Sequence, residues 1–290
     1  MSDTQDKGAA FEIPGAEGET VRGNVHLPLD DAHGPDGPLP LVLALHGFKG
    51  YKDYGFFPYL TQRLADIGVV AVRFNFSHSG IDDDPSTFGR PDLFERDAWS
   101  KQLADVQAVV AAAEAGDLPH AERMDLARLG VVGHSRGGVT ALLTAGSDRR
   151  VRATVSLSAP SCTDTLSEDD KQAIREGGYI VSPSSRTRQD LRIGRAWLDD
   201  LEQNADKLDL LAAVGRIDGP LLIAHGTGDT TVPDECANAI AAAYSGEAEM
   251  LLIDGAGHTF DCANPFAGPS PALEELLPAV SDFLVRSLQS

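Results

Sequence analysis

Short apolar runs recur along the chain, and most are followed by a segment in which apolar residues return at helical spacing. The runs at 41–45 and 69–74 predict buried strands, the first of them covered on both faces of a sheet. Further runs at 128–132, 153–157, 221–224 and 250–253 predict additional strands. Between them, apolar positions three and four residues apart predict helices around 57–67, 103–113, 136–145, 237–241 and 273–284. This alternation predicts a mostly parallel sheet with helices on both faces.

Several stretches depart from the alternation. Residues 9–13 and 20–27 predict a hairpin, which would add antiparallel strands at one edge of the sheet. Residues 1–8 are polar and predict disorder, whereas residues 30–40 are rich in Gly, Pro and Asp and predict a loop. A long polar loop is expected at 75–93.

The longest departure, from about 161 to 218, exceeds a simple connection between two elements, and we expect a lid insertion there. It predicts a short hairpin from 178–182 and 190–193, followed by a helix that starts near Trp197. The hairpin region carries Arg186, Arg188, Arg192 and Arg195. Either these arginines pair with acids in solvent, or one faces a pocket and favours a substrate with a negative or electron-rich acyl end. Tyr179 and Trp197 would then pack the rest of that pocket.

Composition and charge exclude some classes of partner. The 24 basic and 44 acidic residues give a net charge of −20, which disfavours binding to nucleic acid and to anionic membranes. No apolar run is long enough to span a bilayer, and residues 1–8 do not have the pattern of a secretory signal. We therefore expect a cytoplasmic protein, unless a leader has been removed. A homodimer is left open.

The cysteines do not suggest a metal site. Cys162, Cys236 and Cys262 lack metal-type spacing, and an odd number argues against a disulfide framework. Cys236 and Cys262 follow consecutive strands at the same end of the sheet, so a disulfide between them is an alternative to free thiols, although a reducing compartment disfavours it. We expect neither a metal nor a cofactor.

The main chemical signal is the sequence VVGHSRGG at residues 131–138, where an apolar strand ends in Gly-x-Ser-x-Gly and a helix follows at once. This context is typical of a sharp strand–turn–helix connection that exposes the serine hydroxyl. Ser135 is therefore the candidate nucleophile. Gly133 and Gly137 are expected to be small because strand and helix pass close together there. The alternative is a tight turn with an inert serine.

A serine nucleophile needs a base to take its proton and an acid to hold the base in the correct tautomer. Both should follow strands, because sites in open parallel sheets form at the carboxyl ends of the strands. Asp229 follows the run at 221–224, and His258 follows the run at 250–253, each in a glycine-rich turn. The alternatives are a helix-capping aspartate and an ordinary loop histidine.

Two backbone N–H groups should stabilise the negative oxygen of a tetrahedral intermediate. We expect one from Arg136, which follows the nucleophile, and one from Phe48 in the loop at 46–50, for which an ordinary glycine turn is the alternative. His78, in a loop on the same face, is a candidate substrate contact. For the other histidines we expect interior positions at His134 and His225 and solvated positions at His26, His33 and His120.

Together these motifs resemble the α/β-hydrolase superfamily, and within it the cinnamoyl/feruloyl-esterase-like and serine-peptidase-like bacterial hydrolases. The matching segments are HGF at 46–48, GHSRGG at 133–138, HGTGD at 225–229 with Val-Pro at 232–233, and GAGHTF at 255–260. The chain order Ser, Asp, His is also that of this fold. The resemblance covers about residue 41 to the end. It departs at 75–80, where relatives often carry an Arg-Gly-His-Gly type of loop.

The resemblance implies one α/β-hydrolase domain over residues 1–290, with the lid at about 161–218. It implies a triad of Ser135, Asp229 and His258, with an oxyanion N–H from Phe48. The implied activity is hydrolysis of a small-molecule carboxylic ester through an acyl-enzyme. Two alternatives stay open: a peptidase or thioesterase with the same triad, and a non-catalytic binding protein that kept the fold.

Overall fold

The apolar runs form the strands of a central sheet in this computed structural model, which describes residues 8–28 and 37–289. The strands are β1 (Ala9–Pro14), β2 (Thr20–His26), β3 (Leu39–Leu45), β4 (Val70–Asn75), β5 (Met124–His134), β6 (Val151–Leu157), β7 (Tyr179–Ser184), β8 (Gln189–Gly194), β9 (Leu221–Gly226) and β10 (Glu249–Ile253). The helices are α1 (Phe57–Asp66), α2 (Pro91–Glu95), α3 (Trp99–Ala115), α4 (Arg136–Ala145), α5 (Glu168–Gly177), α6 (Arg195–Gln203), α7 (Leu210–Val214), α8 (Glu235–Ala243) and α9 (Pro271–Leu288).

Within the described residues, eight strands form the main sheet in the order β1-β2-β4-β3-β5-β6-β9-β10. β1 and β2 form the predicted hairpin, and β2 also pairs antiparallel with β4. The other neighbours in this sheet pair in parallel. The prediction of a mostly parallel sheet with antiparallel strands at one edge is confirmed.

The inner parallel strands are buried on both faces, as β3 illustrates, whereas β10 at the edge of the sheet exposes Met250 and Leu252. The side chains of β3 alternate between the faces, so that Leu41, Leu43 and Leu45 join the hydrophobic cluster that includes α3 and α4. Val42 and Ala44 point the other way, into the cluster that includes α1 and α9. Because β3, β5, β9 and β10 are parallel, the loops that follow them leave the sheet at the same edge.

The segment between β6 and β9 contains α5, β7, β8, α6 and α7, and β7 and β8 pair as an antiparallel sheet of their own. The predicted hairpin is therefore present. α5 was not predicted, although Ser167 and Asp170 form a capping box at its start, which is a readable helix signal. α7 buries Leu210 and Val214 in the same cluster as α4. The end of this segment thus packs as part of the main body.

The disulfide alternative is not realised, since all three cysteines belong to the described residues and all are free. The Cys236 sulfur lies 3.6 Å from the Ser161 hydroxyl, and the Cys262 sulfur lies 3.6 Å from the Ser270 hydroxyl. Each thiol of the proposed pair therefore has a serine as its polar neighbour.

Three smaller predictions concern other parts of the chain. The solvated position predicted for His26 is wrong, because its ring is buried beside Arg73. His33, residues 1–7 and most of the 30–40 loop lie outside the described residues. In the described ranges, no helix has both the length and the apolar character required to cross a membrane.

Candidate active site

Ser135 sits at the turn between β5 and α4 with φ 56° and ψ −123°. A positive φ is uncommon for a residue with a side chain, so this turn is strained. The Ser135 N–H donates a hydrogen bond to the Leu157 carbonyl at the end of β6, with a distance of 2.8 Å. The neighbouring strand thus helps to hold the serine in the sharp turn that the sequence predicted.

Gly133 and Gly137 flank this turn, and close backbone contacts explain both. A Cβ on Gly133 would overlap the Gly137 carbonyl, and a Cβ on Gly137 would overlap the Leu45 carbonyl at the end of β3. Since the obstructing atoms belong to the backbone, side-chain rotation cannot relieve either overlap. The close approach of β5 and α4 is confirmed at Gly133, whereas at Gly137 the obstructing backbone is the end of β3.

We expect Gly133→Ala to lower the free energy of unfolding by about 1–3 kcal/mol or more, because the backbone must shift to admit the methyl group. Urea unfolding measures this change. Gly177→Ala is the control: Gly177 lies in α5 with open space at its Cβ position, so the substitution is expected to be neutral or stabilising. Equal stability of the two variants would contradict the steric explanation.

The side chains of Ser135, His258 and Asp229 form a continuous hydrogen-bonded relay. His258 Nε2 lies 3.0 Å from Ser135 Oγ, and His258 Nδ1 lies 2.7 Å from Asp229 Oδ2. Asp229 Oδ1 accepts hydrogen bonds from the N–H groups of Thr231 (2.8 Å) and Val232 (2.9 Å). Burial alone would raise the pKa of Asp229, but the Val232 N–H, His258 and the Thr231 N–H together bring it below its usual value.

The loops after β9 and β10 are held against each other, which brings Asp229 and His258 together. Gly228 N–H donates to the Ala256 carbonyl (3.0 Å), and Thr227 N–H donates to the Ile253 carbonyl (3.0 Å). A Cβ on Gly228 would strike the opposite loop, so this glycine permits the close approach. The sequence placed both candidates after the correct strands, and the structure joins them.

Two further histidines support this arrangement from the interior, as the sequence predicted. His134 Nε2 lies 2.7 Å from the His258 carbonyl. Burial lowers the pKa of His134 to about 3, so the ring is neutral and its Nε2–H donates to that carbonyl. His225 is fully buried, donates to the Val232 carbonyl (3.0 Å) and lies 3.3 Å from Asp229 Oδ2.

The loop at 46–50 passes directly beside the serine. A Cβ on Gly47 would lie 3.0 Å from the Ser135 Cβ. His46 fixes this loop, since its Nδ1 donates to the Gly47 carbonyl (2.9 Å) and its Nε2 accepts from the Phe76 N–H (3.3 Å). Burial lowers the pKa of His46 to about 4, which keeps this neutral tautomer. Phe48 comes next in the loop.

Arg136 is the first residue of α4, and the first N–H groups of a helix have no partner within the helix. Its N–H therefore stands at the start of α4, next to Ser135, while Phe48 stands on the neighbouring loop. Phe48 and Ser135 line the same pocket, and Arg136 follows Ser135 directly in the chain. Their role as an oxyanion hole remains a prediction.

A pocket of about 270 Å³ opens over the serine. Its lining comes from five parts of the chain: the 47–50 loop, Tyr54 with Phe57, His134 with Ser135, Pro183–Arg186 at the tip of the β7–β8 hairpin, and His258 with Thr259. In the described part of the chain, no group of three or more His, Cys, Asp or Glu side chains is placed to hold a metal ion.

The structure does not bring the three predicted substrate contacts, His78, Tyr179 and Trp197, to the lining of this pocket. His78 is fully buried elsewhere, within hydrogen-bonding distance of Ser77 Oγ (2.9 Å) and Glu17 (3.2 Å). The ring of Tyr179 is covered by Arg192, whose guanidinium carbon lies 4.0 Å from the ring centre.

Trp197 lies behind the pocket, where it helps to enclose the side chain of Arg136. The Arg136 guanidinium carbon lies 3.8 Å from the nearest Trp197 ring centre, 4.5 Å from Trp99 and 5.7 Å from Phe48. Arg136 is also buried in an ion pair with Asp97 at 3.0 Å. All four partners lie far from Arg136 in the sequence, so no local pattern could have shown this aromatic cage.

Arg136→Met is expected to lower the free energy of unfolding by about 3–5 kcal/mol, because it leaves the buried Asp97 carboxylate without its cation. Burial already raises the pKa of Asp97, and Arg136 offsets part of that effect. The control is Arg175→Met, since Arg175 and Glu202 are both about half exposed and should contribute at most about 1 kcal/mol. If Arg136→Met loses less free energy of unfolding than Arg175→Met, the cage does not stabilise the fold.

Comparison with known proteins assigns the class. The model of the alpha/beta hydrolase family matches residues 41–268, and the chain belongs to this family. The resemblance that the motifs indicated is thereby confirmed. Among curated proteins, the chain is 26% identical over 248 residues to the Bacillus subtilis (strain 168) protein named "Putative esterase YitV", covering 82% of this chain and 89% of that protein.

Solved structures of different description share this fold. Est1E from Butyrivibrio proteoclasticus, with ferulic acid bound, has a TM-score of 0.72 and 21% identity, covering 97% of this chain and 100% of that chain. A puromycin-hydrolyzing peptidase from Mycobacterium tuberculosis has a TM-score of 0.66 and 21% identity, covering 96% of this chain and 39% of that chain. At these identities the likeness shows the fold and does not assign the type of bond that is cleaved.

Proposed function

We propose that this protein hydrolyses carboxylic esters, with Ser135 as nucleophile, His258 as general base and acid, and Asp229 as the group that orients His258. The observation that carries the proposal is the relay from Asp229 through His258 to Ser135, with distances of 2.7 and 3.0 Å, at the base of an open pocket. Such a relay converts a weakly nucleophilic hydroxyl into one that loses its proton as it attacks.

The reaction would proceed in two stages. Ser135 Oγ attacks the acyl carbon while His258 Nε2 takes its proton, and the backbone N–H groups of Phe48 and Arg136 stabilise the developing oxyanion. His258 then protonates the departing alcohol, which leaves an acyl group on Ser135. A water molecule that gives its proton to His258 attacks this acyl-enzyme, and release of the acid restores the hydroxyl. The reaction requires no cofactor.

Two observations favour an ester as the substrate. A curated relative that matches most of the chain carries an esterase name, and a neighbour of the same fold binds ferulic acid. A peptidase or thioesterase would use the same residues, because only the leaving group differs.

We further propose that the segment of about 161–218 acts as a lid, since its hairpin tip covers one side of the pocket.

A serine-reactive fluorophosphonate probe tests the nucleophile directly. We expect one adduct, located at Ser135 by peptide mass mapping, and none in Ser135→Ala. The control Ser147→Ala, at an exposed serine that bonds to carbonyls of α4, should label like the wild type. Rates on p-nitrophenyl esters, peptide anilides and acyl-CoA then identify the scissile bond. Absence of labelling together with absence of ester hydrolysis would contradict the proposal.

A further inference from the structure

The pocket over Ser135 has a charge opposite to that of the whole molecule. The chain carries a net charge of −20, yet among the described residues that line this pocket none is Asp or Glu. Two of them are cations, Lys49 from the 46–50 loop and Arg186 from the hairpin tip. A local positive site attracts negatively charged ligands even on an acidic protein.

Arg186 is held in place by stacking and not by an acid. Its guanidinium carbon lies 4.9 Å from the centre of the Tyr51 ring and 5.2 Å from that of Phe88, and its Nη1 donates to the Pro85 carbonyl. Its Nη2 is buried and has no hydrogen-bond partner among the described residues. These contacts fix the side chain but do not neutralise its charge.

Lys49 joins the two walls of the pocket. It has a positive φ of 58°, and its Nζ donates a hydrogen bond of 2.8 Å to the Pro183 carbonyl, which ties the 46–50 loop to the hairpin. Partial burial lowers the pKa of Lys49. A carbonyl dipole leaves most of the positive charge uncompensated, so this ammonium adds to the field of Arg186.

Two other arginines of the hairpin region provide the contrast. Arg192 lies 3.8 Å from Glu95, and Arg195 lies 3.3 Å from Asp199. Acids are therefore available to arginines in this part of the molecule. Among Arg186, Arg188, Arg192 and Arg195, Arg186 is the one that lines the pocket. Like the exposed Arg188, it has no carboxylate partner among the described residues.

We propose that the enzyme selects esters that carry a carboxylate, which Arg186 binds with support from the charge of Lys49. This inference rests on the proposed esterase function and adds the substrate class. Because Arg186 Nη2 is buried, the carboxylate is held by charge attraction and a single charge-assisted N–H bond, and not by a bidentate pair. A pocket of about 270 Å³ suits a short dicarboxylic half-ester or a small carboxylated phenol as the leaving alcohol.

Paired esters of equal size test the proposal. One arm compares mono-p-nitrophenyl glutarate with its neutral amide, p-nitrophenyl 4-carbamoylbutanoate, which places the carboxylate on the acyl side. The other compares 4-acetoxybenzoate with 4-acetoxybenzamide, which places it on the alcohol side. We expect a higher kcat/KM for the anionic ester in one arm. Arg186→Gln should lower the anionic-to-neutral ratio in that arm about 10- to 100-fold, the range expected for hydrogen bonds to a charged group.

Arg192→Gln is the matched control, because Arg192 belongs to the same hairpin but lies outside the pocket lining, and it should leave the ratio unchanged.

A second measurement needs no variant: glutarate should competitively inhibit hydrolysis of the neutral ester by the wild type, and uncharged glutaramide should not. If the wild type hydrolyses neutral esters through Ser135 but shows neither preference nor inhibition, the carboxylate proposal is wrong and the esterase proposal stands. Loss of both fluorophosphonate labelling and neutral-ester hydrolysis would instead reject the esterase function itself.

Discussion

Ser135→Ala and His258→Ala are each expected to lower kcat for a carboxylic ester by roughly 10³-fold or more. Alanine at 135 removes the oxygen that forms the acyl-enzyme. Alanine at 258 removes the base that lies 3.0 Å from that oxygen. Steady-state rates on a p-nitrophenyl ester, with active-site titration of the wild type, measure the effect. The double variant should be little slower than either single variant, because the two residues act as one unit.

Both variants should remain folded, which separates loss of chemistry from loss of structure. Neither side chain belongs to the two large hydrophobic clusters on the faces of the sheet. Their urea midpoints should therefore stay close to that of the wild type. Near-wild-type turnover by folded Ser135→Ala would remove Ser135 from the mechanism and require another nucleophile.

The sheet was predictable because burial on both faces forces a readable pattern on the sequence. A parallel strand such as β3 has no solvent side, so its apolar run is unbroken, and helical spacing follows in the covering segments. The alternation of strands and helices also placed Ser135, Asp229 and His258 at one edge, since each follows a parallel strand. The structure then joins the three side chains by hydrogen bonds.

His78 shows why the surroundings of the site were harder to predict. Asp105 of α3 accepts hydrogen bonds from the Ser77 N–H (2.8 Å) and hydroxyl (2.9 Å) and from the Ala16 N–H (2.7 Å). Burial raises the pKa of Asp105 to about 6. This anchor draws the loop inward and buries His78 away from the pocket. The partners lie 28 and 89 residues from Asp105, so local sequence carries no sign of them.

In the insertion, distant contacts likewise decide where the side chains of Trp197 and Arg186 lie. The hairpin and the helix after it were visible as local patterns, but the side of each element that meets the pocket depends on contacts with distant segments. Trp197 turns towards Arg136 and Phe48, whereas the hairpin turn brings Arg186 to Tyr51 and Phe88. The sequence left open which arginine of the hairpin region would reach the pocket, and in the structure Arg186 is among the lining residues.

The surroundings of Asp229 make a substitution there unusually informative. Its Oδ1 accepts two backbone N–H groups, from Thr231 and Val232, while its Oδ2 faces His258 Nδ1. An asparagine would place its carbonyl oxygen at the two N–H donors, because an amide NH₂ there would meet only other donors. Its NH₂ would then face His258 Nδ1.

Asp229→Asn is therefore expected to lower kcat by about 10³- to 10⁴-fold while preserving the fold. The NH₂ group would make Nδ1 the acceptor, so the imidazole proton would move to Nε2, and Nε2 could no longer take the proton of Ser135. Ester turnover measures the loss, and the pattern of imidazole ¹⁵N chemical shifts reports the change of tautomer. Asp234→Asn, at the start of α8, is the matched control and should retain activity, since Asp234 makes no side-chain cap to the helix. Full activity of Asp229→Asn with Nδ1 still protonated would show that Asp229 does not set the tautomer of His258.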